Sequence, residues 1–318
     1  MNADLQRAST ASVVALDDYA FLAIDGERAL SMLQGQLTCD VNQAAPDHVT
    51  EGAYCTPKGR VSSSFLLWAR EPGRVLLRMR ADIVEQTATA LHRYAALSRV
   101  TVKHAALACT GLLGTGLREA AGGILDRWPT RQRQIVIAGE HHVLQCDEAG
   151  QRCEIWSPPE SLAELRSTLA TRCREAPLSH WRLALVRERK VEIVAAIAGE
   201  YLPQMLDYDR SGAVSFSKGC YSGQEIVARA RYKGSVKRRL YHLAGTSPKL
   251  PPPGDVLYRD DNMTHAVGNV VESATGDDTR VEMLAVLSEE AQPSAAARLR
   301  GANGGVFEVL ADACAILE

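Results

Sequence analysis

Strand-like and helix-like patterns alternate twice along this chain and then stop near Lys237, after which only short strands and turns remain. That change of texture constrains the fold more than any single motif, because it calls for two mixed layers and then an all-β unit. In the first round, Ala20 to Asp25 reads as an apolar strand and Gly26 as a break. Glu27 to Leu37 reads as a helix with Ala29, Leu30, Leu33 and Leu37 on one face. Phe65 to Trp68 and Val75 to Met79 read as strands joined by the Glu71-Pro72-Gly73 turn, and Asp82 to Ala96 is helical through Ile83, Ala90, Leu91 and Tyr94. The second round starts at Leu107 to Leu113, continues through a helix from Leu117 and strands near Ile135, Val143 and Cys153 to Trp156, and ends in a helix after Pro158-Pro159. His180 to Lys190 is a further amphipathic helix, with Trp181, Ala184 and Leu185 as its expected buried face. Beyond Lys237, breaks at Pro251-Pro252-Pro253-Gly254, Gly268, Gly276 and the Gly301 to Gly305 cluster predict a small β-barrel.

At 318 residues two or three domains are expected. A hydrophobic fraction of 46% and a charged fraction of 23% are those of an ordinary globular protein, and a net charge of −2 gives no global attraction to nucleic acid or membrane. Attraction to an anion must therefore be local. One stretch meets that condition: Lys218, Arg229, Arg231, Lys233, Lys237, Arg238 and Arg239 face the single acid Glu225. It reads either as a binding surface or as a solvated helix face. The eight cysteines include no Cys-x-x-Cys pair and no compact Cys/His set, so no metal-binding motif is visible. No signal-peptide-like h-region lies within Met1 to Asp18 and no apolar run of about 18 residues occurs, which predicts a reducing cytoplasmic setting and no membrane association.

Ser217-Lys218-Gly219-Cys220-Tyr221-Ser222-Gly223-Gln224 is the most site-like stretch. Two glycines permit close backbone approach, and a helix over Gln224 to Tyr232 would place Cys220 near its N-terminus and beside Lys218, both of which favour a thiolate. The competing reading is a glycine-rich turn with a buried cysteine. Thr56-Pro57-Lys58-Gly59-Arg60 is a second cationic turn. It suits a carboxylate or phosphate held by Lys58 and Arg60, and equally a plain hairpin turn. Gln34-Gly35-Gln36-Leu37-Thr38-Cys39-Asp40 reads as a helix stop or a ligand contact. Gly111, Gly114 and Gly116 match neither nucleotide-binding fingerprint, and no histidine is given a role.

Leu33 to Asp40, Pro57-Lys58-Gly59-Arg60, Leu202-Pro203-Gln204 and Lys218 to Glu225, taken together, resemble the YgfZ-type folate-binding proteins, relatives of the glycine-cleavage T-protein. The resemblance spans nearly the whole chain, with Ser222 where the family usually has Thr. It implies two ferredoxin-like α+β units and a C-terminal β-barrel around a central opening for tetrahydrofolate or a derivative. The units would be 1–104 with 180–235, then 105–179, then 236–318. It also implies an accessory role in assembly or repair of iron-sulfur clusters in selected enzymes, including tRNA-modifying ones, through transient protein partners and without direct nucleic-acid binding. On this reading Cys220, with Lys218, is the candidate thiol centre and faces the opening. Lys58, Arg60, Arg187, Glu188, Gly219, Tyr221, Gly223, Gln224, Glu225 and Arg229 are candidate folate contacts. The alternatives are a folate-dependent one-carbon transferase and a folate-sensing regulator. Transfer in T-proteins needs an acid on the strand occupied here by Val61-Ser62-Ser63-Ser64-Phe65, which carries none.

Overall fold

The computed structural model describes residues 10–232, 234, 236–259, 262–276, 280–288 and 298–310; Lys233 and Cys314 lie outside them. Eleven strands precede the barrel: β1 (Ser12–Ala15), β2 (Tyr19–Asp25), β3 (Val49–Cys55), β4 (Val61–Glu71), β5 (Arg74–Arg80), β6 (Thr101–His104), β7 (Ala108–Leu113), β8 (Ile135–Ala138), β9 (His141–Gln145), β10 (Arg152–Ser157) and β11 (Arg174–Glu175). The helices are α1 (Ala29–Gln34), α2 (Val84–Ser98), α3 (Leu117–Ala121), α4 (Pro159–Leu169), α5 (Leu178–Arg187), α6 (Tyr208–Ser211) and α7 (Gln224–Tyr232).

Two ferredoxin-like sheets result, in the orders β3-β4-β5-β2-β6 and β11-β1-β7-β10-β9-β8. β1 precedes every strand of the first sheet yet joins the second, antiparallel to β7 and parallel to β11. Its two adjacent buried valines carry no face pattern that favours either sheet, so only strand pairing decides where it goes. The C-terminal strands β12 (Arg238–Thr246), β13 (Val256–Arg259), β14 (Asn262–Thr275), β15 (Val281–Ser288), β16 (Arg298–Gly301) and β17 (Val306–Val309) close a barrel in the order β12-β15-β14-β13-β16-β17. Gly268 lets β14 pass close to its neighbour, since a Cβ there would lie 2.2 Å from the Val286 carbonyl oxygen.

The apolar periodicities resolve into the elements they predict, with shifted ends. The first helix spans Ala29–Gln34 rather than 27–37, and at its C-terminal end the Gln34 and Leu37 carbonyls are taken by a lysine from another segment. α5 is buried on almost every side: Trp181, Leu183, Leu185 and Val186 are enclosed and so is Arg182, whereas Ala184 is only half-buried. It lies in a core shared by both sheets, with Phe21, Trp68, Trp156 and Trp181. The rings of Phe21 and Trp156 meet edge-on at 5.3 Å. Among the described residues no helix is long and apolar enough to cross a membrane.

Candidate functional site

The four motifs far apart in sequence converge on one junction. Lys218 is buried, and its ammonium donates to the carbonyls of Gln34 at 2.7 Å, Leu37 at 2.6 Å and Cys39 at 2.9 Å. The C-terminal end of α1 is thus closed by a charge instead of a glycine turn. Gln34 completes the stop, donating to Asp40 at 2.8 Å and accepting from the Val41 amide at 2.9 Å. The glycine loops interlock: a Cβ on Gly223, whose φ is +79°, would stand 2.4 Å from the Thr56 carbonyl oxygen, and one on Gly59 would stand 2.9 Å from Ile226. Arg60 donates to the Glu200 carbonyl, the Val61 amide to that of Tyr201 at 2.8 Å, and Gln204 to that of Val227 at 2.7 Å.

Within this junction the two ends of residues 218–221 face inward and the middle faces out. Lys218 and Tyr221 point inward and are buried; Gly219 and Cys220 are exposed. All three Lys218 donors are engaged by carbonyls, so the inward turn of Lys218 and Tyr221 carries Cys220 to the surface. The buried Tyr221 hydroxyl has no hydrogen-bond partner among the described residues. Gln224 opens α7, with Glu225 and Arg229 exposed on it.

A second feature lies between the two sheets. It is an opening walled by β3, β4 and β5 on one side, by the end of β9 and the start of β10 on the other, and by α5, residues 189–192 and α6. Its apolar lining includes Val49, Phe65, Leu66, Leu144, Leu185 and Val191, and its charged lining is six cations against two carboxylates. The cations are Arg78, Arg80, Arg133, Arg152, Arg189 and Lys190; the acids are Glu51 and Glu192. None of the twelve residues singled out from sequence lines it. Glu188 comes nearest, binding Arg152 through both oxygens at 2.7 and 2.6 Å. Arg187 instead pairs with Glu282 of the barrel at 2.6 Å. Cys220 was expected to face the opening, and it stands exposed outside it. The two features share a wall, because Thr38 donates to the carbonyl of the lining residue Ala213 at 2.7 Å, and the Cys39 sulfur fills the space beside Gly52.

The charged lining is rigidly held. Arg78 is enclosed, with a fork onto Glu154 and a further bond to Glu192; Arg182 binds Glu192 at 3.0 Å and also Asp18. Burial alone would raise the Glu192 carboxyl, but Arg78, Arg182 and Arg80, with the Tyr19 hydroxyl, outweigh it and bring it down to about 2. Glu51 follows the same pattern: burial opposes ionisation, and Lys190 at 2.6 Å with Arg133 hold it below the ordinary range. Arg189 reaches Asp207 at 2.8 Å and the Leu240 carbonyl of the barrel at 2.7 Å. Arg133, Arg189 and Asp207 are three of the four described non-glycine residues with a left-handed backbone, a strained conformation that gathers here at the opening. The signal that could have located this site was a charge inside an apolar run: Arg78 in Val75 to Met79, Glu154 in Cys153 to Trp156, and Glu192 between Val191 and Ile193.

No family model matches the chain. The chain is 30% identical over 295 residues to "tRNA-modifying protein YgfZ" of Shigella sonnei, covering 91% of this chain and 89% of that one. The chain belongs to the YgfZ family. The protein of the same name from Escherichia coli strain K12 is likewise 30% identical, over 292 residues and with the same coverage. Among solved structures, the glycine cleavage system aminomethyltransferase T of Bartonella henselae superposes with a TM-score of 0.79 over 96% of this chain and 86% of its own. At 13% identity that likeness is one of fold, and it places both sheets and the barrel in the T-protein architecture.

Proposed function

We propose that this protein binds tetrahydrofolate or a derivative in the central opening and acts as an accessory factor for iron-sulfur enzymes, including tRNA-modifying ones, with the Cys220 thiol as its reactive group. The observation that carries the folate reading is the composition of the opening. Apolar walls with Phe65, Leu66 and Leu185 suit a flat heteroaromatic ring, and the excess of Arg and Lys suits the carboxylates of a glutamate tail. Arg133, whose buried Nε has no partner among the described residues, and Lys190 would hold the anionic end. The YgfZ relatives are called tRNA-modifying proteins, which supports the accessory role.

A one-carbon transferase is the weaker reading. Ser64 faces the opening, but its hydroxyl accepts from the Ile193 amide at 2.8 Å, and Glu51 and Glu192, both held ionised, are poor proton acceptors near neutral pH. Among the described residues no three of His, Cys, Asp and Glu gather into a metal-holding group, so Cys220 would touch cluster iron or sulfur only together with ligands from a partner. The test is Cys220→Ala in cells deleted for the native gene, read as the level of tRNA nucleosides made by iron-sulfur enzymes. A loss to the deletion level with unchanged protein abundance is expected; wild-type levels would remove the thiol from the account.

A further inference from the structure

Around the opening between the sheets the cations are matched by acids: Arg78, Arg80, Arg152, Arg182 and Arg189 all sit in ion pairs. Around the junction several are not. Lys58, Arg229, Arg231 and Lys237 are exposed and have no acidic partner among the described residues. The same place carries exposed apolar surface. Of the five large apolar side chains that stand exposed among the described residues, Ile226 at 39% and Tyr232 at 67% are both on the nine-residue α7. Ile226, Arg229 and Tyr232 follow one another at a spacing of three and so form one stripe along the helix.

The loop before α7 is fastened to it at both ends. Phe216 meets the Tyr232 ring at 6.3 Å, the Arg231 guanidinium lies 4.0 Å over the Phe216 ring, and Gly223 is locked against Thr56 and Gly59. Cys220 is exposed between these fastenings. An exposed thiol, an isoleucine, a tyrosine and arginines, with unmatched cations at the rim, have the make-up of a protein interface centre.

From these observations we infer that α7 and the 56–60 turn form a docking surface for a partner protein whose contact face is acidic and carries an apolar side chain to cover Ile226 and Tyr232. Charge complementarity selects the acid, and the aliphatic Ile226 beside a single exposed ring favours an apolar protein side chain over stacked RNA bases. The inference deepens the accessory reading and rests on it for why a partner comes to Cys220, but the folate site is separate. Tetrahydrofolate binding therefore reports on that reading independently of the surface.

The experiment presents a phage library of short random peptides to the full-length protein and then titrates the selected peptides, made synthetically, into wild type, Arg231→Glu and Tyr232→Ser. Thermal unfolding checks that both variants fold. Selected peptides should combine Asp or Glu with an apolar residue, slow iodoacetamide alkylation at Cys220, and lose about tenfold or more in affinity for each variant. Peptides without acidic enrichment, or affinities unchanged by both substitutions, would overturn the inference. So would an unmodified tRNA transcript that protects Cys220 at about 0.15 M salt. Peptide docking without tetrahydrofolate binding would leave the surface standing and remove the folate reading.

Discussion

Lys218 and Cys220 are two positions apart and play opposite physical parts. Lys218 is buried and makes three charge-assisted bonds to backbone carbonyls, so Lys218→Met should cost about 2–4 kcal/mol in urea unfolding. Cys220 is exposed, so Cys220→Ala should stay within about 0.5 kcal/mol of wild type in the same assay. Gly223 is a stricter case. Its φ of +79° and the Thr56 oxygen 2.4 Å from an added Cβ predict a loss of about 1–3 kcal/mol or more for Gly223→Ala, with separation of the two glycine loops. A Gly223→Ala variant as stable as wild type would mean that the loops do not interlock. The sequence marked this motif as unusual and left two readings open, a reactive loop or a packed turn. The structure has a packed turn in which Lys218 and Tyr221 are buried, and the cysteine that the second reading would have buried is exposed.

Among the elements, α1, α2, α4, α5, α7 and the barrel strands were legible because each has an apolar period that matches its geometry. β1 was not legible, since four residues with two adjacent buried valines fit either sheet. The opening was not legible either. Its charged lining comes from β3, β5, β10, Arg133 and residues 189–192, which contribute one to three charged side chains each, and only their crossing in space makes a site. The link that holds β5 to β10 is Arg78 on Glu154, with Trp156 donating to the same carboxylate at 2.7 Å. Glu154→Gln leaves Arg78 buried with half its compensation, so a loss of about 3–5 kcal/mol is expected, read by thermal or urea unfolding. A loss below about 1 kcal/mol would show that the two sheets do not depend on this pair.

For the whole molecule, acid stability should fall in two stages. His142 is buried against Trp68 at 4.9 Å; burial, reinforced by Arg70, lowers its pKa to about 4. The folded state therefore prefers neutral His142, so stability is full above the unfolded value of about 6.5 and is lost as pH drops towards 4, by at most about 1.4 kcal/mol per unit. Glu192 acts lower down: its stabilisation is present above about 4.5 and disappears as pH falls towards 2. Urea midpoints at stepped pH should show the first stage in wild type and a flatter profile in His142→Phe; identical profiles would place His142 outside the acid response. The family and the three-part architecture were accessible from motif order and texture, whereas the ligand opening required the assembled molecule.

Folate binding in the opening between the sheets is read out by anaerobic calorimetric titration of tetrahydrofolate under reducing conditions. Saturable binding to wild type is expected, with the same affinity in Cys220→Ala, whose side chain lies outside the opening, and about tenfold weaker binding in Arg133→Met. No heat of binding with wild type, or equal binding to Arg133→Met, would contradict it.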